Sequence, residues 1–332
     1  MKKVHKLAVV GAGPAGLACA IEAKKAGMDV VLIDKGNVTE SIINFPVEMT
    51  FFSTADLLSL GDIPFNSINI RPKRAEAVKY YQSLVTHFDI PVLTGSKVID
   101  VQKNGRHFLI QYMKNESTNQ LSAEYVILAT GFYDNPNLLN IPGEKSSHVS
   151  HYYSEPYRYF GKKVVVVGGK NSAVEAALDL YRHGAKVILV HRRSQIQESV
   201  KYWILPDIEN RIKEGSIKAY FSSQVKKIEI NSITIITNGK SSDIEADTVF
   251  LLTGYHPDMT LLERCGISCD ADSLEPDVNK STLESNIGGL YIAGSLIAGK
   301  NANRIFIENS RDHGPQIISA LNKQINAAVD SK

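Results

Sequence analysis

The sequence predicts an α/β protein of two Rossmann-like domains, the second inserted into the first. Three observations predict it. A strand–turn–helix–strand pattern occurs twice, a glycine turn stands at the same place in both copies, and an apolar strand ending in Thr-Gly follows each. At 332 residues the chain is long enough for two domains with separate cores.

The duplicated pattern is visible without outside comparison. Lys6 to Gly36 reads KLAVVGAGPAGLACAIEAKKAGMDVVLIDKG, and Lys163 to Arg193 reads KVVVVGGKNSAVEAALDLYRHGAKVILVHRR. They align without a gap, with Gly11 over Gly168, Gly27 over Gly184 and Asp34 over His191. Each is a βαβ unit of about 30 residues. Runs such as Val164 to Val167 suit a parallel strand buried on both faces. VILATG, ending at Thr130 and Gly131, is echoed by VFLLTG, ending at Gly254; each lies where the chain would return toward the first sheet. Arg106 to Tyr112 and Ser232 to Thr237 alternate apolar and polar residues, as half-exposed antiparallel strands do. The domains are therefore expected at 1–137 with 253–332, and at 138–252. A last strand, LYIAGS, ends at Gly294 and Ser295 and precedes a helix expected from about Asn303 to Leu321.

Composition narrows the class. Basic and acidic residues nearly cancel, 37 against 35, so nucleic acid and membrane surfaces are not expected partners. No apolar run approaches the roughly 18 residues of a membrane span. The N-terminus runs directly into a short apolar strand and a glycine loop, unlike a secretory leader. Only Cys19, Cys265 and Cys269 are present, which predicts no disulfide framework and a reducing, cytoplasmic location. No metal site is expected.

The first glycine turn, Gly11-Ala-Gly13-Pro14-Ala15-Gly16, follows a strand, opens a helix, and has an acid at the end of the next strand. In that context the first glycine makes the turn, the second admits a pyrophosphate, and the third lets the helix pack on the sheet. The helix N-terminus then faces the phosphates with unpaired N–H groups. Asp34 is placed to accept hydrogen bonds from a ribose diol, and Lys35, Thr130, Gly131, Gly254, Gly294 and Ser295 are read as further cofactor-binding positions. The second turn carries Gly168, Gly169, Lys170, Asn171, Ser172 and Ala173, and it ends not in an acid but in His191, Arg192 and Arg193. A carboxylate there would repel a 2′-phosphate, whereas paired guanidiniums hold one. The first unit is thus read as the FAD site and the second as the NADPH site. Lys170 departs from the fingerprint by occupying the middle-glycine position and is expected to bring a cation near the pyrophosphate. Gly294, before the last helix, allows close backbone approach to the flavin, and the helix N-terminus stabilises negative charge there.

The order GAGPAG, ATG, GGKNSAVEAA, HRR and TGYHPD, with a C-terminal Ala-Gly, resembles low-molecular-weight thioredoxin reductases over essentially the whole chain. Those enzymes carry a redox Cys-x-x-Cys just before the second fingerprint. Here His148 to Phe160 reads HVSHYYSEPYRYF, so a reductase with its own dithiol is excluded. ESIINFP from Glu40, TFFST from Thr50, LGDIPF from Leu60, GGKNS from Gly168, WILP from Trp203 and IFIEN from Ile305 resemble the bacillithiol-disulfide reductase (YpdA-type) family. That resemblance implies a homodimeric or homotetrameric flavoprotein using NADPH to reduce a low-molecular-weight thiol disulfide, in concert with a bacilliredoxin. It also implies a cysteine where this chain has Ala15, so a covalent thiol step at that position is impossible here. Cys19 is read as a small buried filler, and Cys265 and Cys269 as reduced and structural.

Catalytic candidates are His151, Tyr152 and Glu308, with Tyr153 equally placed; Phe51 and Phe52 lie in a family block, and Phe51 is assigned to the cofactor. Three functional readings stand: a bacillithiol-type disulfide reductase, a ferredoxin- or flavodoxin-NADP reductase of the same architecture, and a non-catalytic flavin redox sensor. Ala15 favours the second, and the sequence blocks favour the first.

Overall fold

A computed structural model of the chain describes residues 3–330. It divides into two compact units: the first holds the chain up to Asn44, Met49–Asn135 and the chain from Tyr255 on, and the second holds Phe45–Glu48 and Pro136–Gly254.

The first unit opens with β1 (Val4–Val10), α1 (Pro14–Lys25) and β2 (Val30–Ile33), the predicted βαβ unit. Pro14 stands at the first helical turn, where its missing N–H costs nothing. A short α2 (Glu40–Ile43), then α3 (Arg74–His87) and β3 (Val92–Leu93), lead to an antiparallel meander of β4 (Lys97–Asn104), β5 (His107–Lys114) and β6 (Ser117–Leu128). The strand order is β3-β2-β1-β6-β5-β4. All four residues of β2 are buried, as a strand covered on both faces requires.

The second unit contains β7 (Val149–Ser150), β8 (Lys163–Val167), α4 (Asn171–Arg182) and β9 (Lys186–Val190), then α5 (Leu205–Lys213) and β10 (Lys218–Tyr220). A three-stranded antiparallel sheet follows, β11 (Ser223–Glu229), β12 (Ser232–Thr237) and β13 (Lys240–Glu245), and the unit closes with β14 (Thr248–Leu251). The parallel sheet has the order β10-β9-β8-β14-β7. The echo strand at Val249 therefore pairs inside the second sheet, against β8 and β7, instead of returning to the first.

The returning chain forms α6 (Met259–Arg264), β15 (Leu290–Ile292), α7 (Ile307–Ser310) and α8 (His313–Asp330). β15 pairs in parallel with the last residues of β6, extending the first sheet. The single helix expected from about Asn303 is broken. Phe306 is extended, and Asn309 accepts its amide through Oδ1 at 2.8 Å, capping a new short helix before α8 begins. α8 packs directly on α1: a Cβ at Gly314 would stand 2.6 Å from the Ala18 carbonyl oxygen. The small residues of α1 permit that approach, and Leu17, Cys19 and Ile21 are wholly buried under it.

Candidate functional site: two glycine turns with different endings

In the first unit β1 ends in a turn with Gly11 at φ +110. A side chain at Gly11 would collide with the Ala129 carbonyl, and one at Gly16 with the Gly11 carbonyl. Gly13 differs from both, because a Cβ there meets nothing within 4 Å. Two glycines therefore serve packing, and the middle one faces open space. The first turn of α1 has neither a side-chain cap nor an acidic residue, so its N–H groups are left to an anion. Pro14 and Ala15 complete this rim and are half-buried.

Asp34 braces the turn from the end of β2. Its Oδ2 accepts the Ala12 amide at 2.7 Å and its Oδ1 the Gly36 amide at 2.8 Å. Burial pushes its carboxyl above the ordinary range, the two amides oppose that, and neighbouring Asp134 adds to it. Each oxygen keeps a further lone pair for a diol. Lys35 does not turn inward: its ammonium pairs with Asp134 at 2.7 Å.

Three distant segments converge beside this turn. A Cβ at Gly294 would stand 2.8 Å from the Ala15 methyl, and one at Gly131 would stand 3.8 Å from Ser295 Oγ. Thr130, half-buried, precedes Gly131 at the end of β6. The Gly294 amide donates to His313 Nδ1 at 3.0 Å, which fixes that nitrogen as an unprotonated acceptor. Burial also holds the His313 imidazole below its usual range, against the pull of Asp312. Nothing in the local sequence separates His313 from any other helix-opening histidine. Phe51 is buried, its amide donating to the Pro72 carbonyl at 2.9 Å. Glu308, on α7, has a buried Oε2 with no hydrogen-bond partner.

The second unit repeats the turn with altered chemistry. A Cβ at Gly168 would lie 2.6 Å from the Leu252 carbonyl oxygen and 2.7 Å from the Ala173 methyl, so the turn is tightly packed. Gly169 lies against the imidazole of His191, which a methyl at Gly169 would strike. His191 is 6% exposed and its Nε2 is buried without a partner, whereas Arg192 and Arg193 are both exposed. The histidine supports the glycine turn from beneath while the guanidiniums face outward. Burial first, then the two arginine charges, lower its proton affinity and keep it neutral. Lys170 is extended at the start of α4, whose first turn also lacks a side-chain cap and an acid. Asn171 reaches sideways, its Oδ1 accepting the Lys201 amide at 2.8 Å, and Ser172 follows it in the first turn. Lys201 is buried and ion-paired with Glu175 on the same helix. At the end of β14 the Asn137 amide donates to the Gly254 carbonyl at 2.9 Å, and Thr253 Oγ1 donates to the Asn137 carbonyl at 2.7 Å.

Three residues of the cysteine-replacing stretch have partners in their own unit. His151 Nε2 lies 3.4 Å from Glu144 Oε1, and the same carboxylate takes the Leu139 amide. Tyr152 shares a turn with Ser150, its amide donating to the serine hydroxyl at 3.0 Å. Tyr153 donates to Asp179 at 2.6 Å. Burial raises the Cys19 and Cys265 thiols to about 12, which suits packing and not nucleophilic attack. Among the described residues no cluster of His, Cys, Asp or Glu is arranged to hold a metal ion, and no helix is long and apolar enough to cross a membrane.

A family model described as pyridine nucleotide-disulphide oxidoreductase matches residues 8–294. The bacilliredoxin reductase Bdr of Bacillus subtilis (strain 168) is 42% identical over 97% of this chain and 99% of its own. The solved bacillithiol disulfide reductase Bdr (YpdA) from Bacillus cereus has 39% identity and a TM-score of 0.95, covering 97% of this chain and 100% of that one. A ferredoxin–NADP reductase of Ignicoccus hospitalis is 26% identical, over 87% of this chain and 88% of its own. With a family model over most of its length and a relative so similar from end to end, the chain belongs to the pyridine nucleotide-disulphide oxidoreductases and, among them, to the Bdr group.

Proposed function

We propose that this oxidoreductase takes electrons from NADPH and, through FAD, reduces bacillithiol disulfide or a closely similar small disulfide to two thiols. The balance is NADPH, a proton and one disulfide giving NADP⁺ and two thiols. The observation that carries the reading is the contrast between the two turns: Asp34 closes the first, and exposed Arg192 and Arg193 close the second. The identity to a bacilliredoxin reductase across nearly the full length of both chains supports the substrate class.

FAD fits the first turn, where open space over Gly13, uncapped amides of α1 and the Asp34 carboxylate stand together. When bound, a flavin accepts hydride from reduced nicotinamide and delivers electron pairs to a disulfide. The chain's own residues do the rest. Asp34 orients a ribose, Gly11 to Gly16 hold a pyrophosphate, and the His313-fixed Gly294 amide shapes the wall beside Ala15. In the second unit Gly168 to Ala173 receive the NADPH pyrophosphate with Lys170 nearby, and Arg192 and Arg193 bind its 2′-phosphate. The first unit is the FAD domain and the second, built mainly of Pro136–Gly254, is the NADPH domain, a boundary within two residues of the 138–252 expected from sequence. Glu308, on α7 of the first unit with a buried unpartnered oxygen, is the proton donor favoured over Tyr152 and over His151, whose Nε2 is paired with Glu144.

Because residue 15 is alanine, the disulfide is reduced with no thiol of the chain taking part. The active form is a cytoplasmic homodimer or homotetramer serving a bacilliredoxin. A ferredoxin- or flavodoxin-NADP reductase is the weaker reading, its 26% identity standing against 42%. A non-catalytic sensor is weaker still, given membership of an enzyme family. The deciding experiment gives the purified protein NADPH with bacillithiol disulfide, ferredoxin or flavodoxin. Two thiols released per NADPH consumed supports the proposal; turnover confined to a protein carrier contradicts it.

A further inference from the structure

β1 lies between β2 and β6, all three parallel, so their C-terminal ends share one edge of the sheet. That edge, at the end of β1, is where a dinucleotide lies. The segment leaving β6, residues 131–135, does not turn away from this edge. It is tied instead to the segments leaving β2. Asp134 pairs with Lys35 at 2.7 Å, and the Tyr133 hydroxyl donates to the Asn44 carbonyl at 3.1 Å. The flank is packed as well: the Tyr133 ring lies 4.8 Å from that of Tyr255, and the Asn135 carbonyl accepts the His256 amide at 2.9 Å. The two ties therefore join the exits of the outer strands across the exit of the middle one.

We propose that residues 131–135 form a strap that retains FAD in the first unit, with the Lys35–Asp134 ion pair as its latch. The inference rests on the FAD assignment above and gives Lys35 a positioning role in place of a direct cofactor contact. Lys35 is 43% and Asp134 30% exposed in the side chain, so the latch is of modest strength and opens reversibly. A flavin leaves while these ties are broken, and the strap thereby slows release more than it changes the bound geometry.

The test follows flavin fluorescence after dilution of the holoprotein. Lys35→Met, which keeps length and removes charge, and Asp134→Asn are each expected to release flavin roughly threefold to fivefold faster than the parent. Combining Lys35→Met with Tyr133→Phe is expected to reach about tenfold or more. The exchange Lys35→Asp with Asp134→Lys restores slow release, which a merely damaged variant does not do. Added salt speeds release from the parent and leaves Lys35→Met unchanged. Parent-like release from both single variants and the Lys35→Met, Tyr133→Phe pair, with parent-like melting temperatures, overturns the strap alone. A parent protein that holds no flavin overturns the FAD assignment and the strap with it.

Discussion

The imidazole of His191 lies directly under Gly169, so the second glycine turn rests on a histidine where the first is braced by the carboxylate of Asp34. One position in the duplicated fold thus has two structural solutions. In the first unit a carboxylate holds the turn by accepting the Ala12 amide within it. In the second a neutral ring fills the space beneath it, leaving the following arginines free to face a ligand.

Gly169→Ala is therefore expected to lower stability by about 1–3 kcal/mol through overpacking. It is also expected to raise the NADPH Michaelis constant. Adding His191→Ala vacates the space and should recover at least half of the loss in melting temperature. Calorimetry on the single and double variants checks this, and a Gly169→Ala protein that melts like the parent contradicts it.

Arg192→Ala and Arg193→Ala should each raise the NADPH Michaelis constant by roughly 10- to 100-fold, the scale of a lost charge-assisted hydrogen bond at about 1.5–3 kcal/mol. NADH turnover and flavin content should stay unchanged. Steady-state kinetics with both nucleotides decides the point, and an unaltered NADPH preference removes the 2′-phosphate assignment.

Asp34→Ala leaves the Ala12 and Gly36 amides without their acceptor, at about 1–3 kcal/mol for each that stays dry. The variant should lose flavin on dialysis and melt earlier even as apoprotein. Full flavin occupancy after exhaustive dialysis would speak against Asp34 as the ribose ligand.

His191 and His313 both have lowered proton affinity, chiefly from burial. The unfolded chain protonates them first as pH falls below about 6.5, so acid favours unfolding until the folded-state values are also passed. Stability should rise with pH through that window and level off above it. The double variant His191→Asn, His313→Asn, with Asn able to accept the Gly294 amide, should show a shallower slope of melting temperature between pH 5 and 7. Equal slopes in parent and variant would sink the linkage.

The glycine turns, Asp34 and the duplicated βαβ order were legible because they are local: spacing along the chain fixes them. The breaks in legibility were long-range. His313 meets Gly294 across a loop, Asn137 meets Gly254 across a whole domain, and Asp134 meets Lys35 across three strands. Nothing in the neighbouring sequence records such a partner. The inward turn of His191 was equally hidden, since a basic run reads as one cluster whether or not its first member is buried. The broken C-terminal helix escaped because its new start depends on the Asn309 side chain accepting the Phe306 amide.

The most direct test of the account is an anaerobic titration of the purified protein with NADPH, followed by bacillithiol disulfide. One flavin per chain is expected, bleached by about one equivalent of NADPH and restored to full colour by the disulfide. Restoration should persist in a variant lacking Cys19, Cys265 and Cys269. A colourless protein, a flavin that NADPH leaves oxidised, or a disulfide that fails to restore the colour would contradict it.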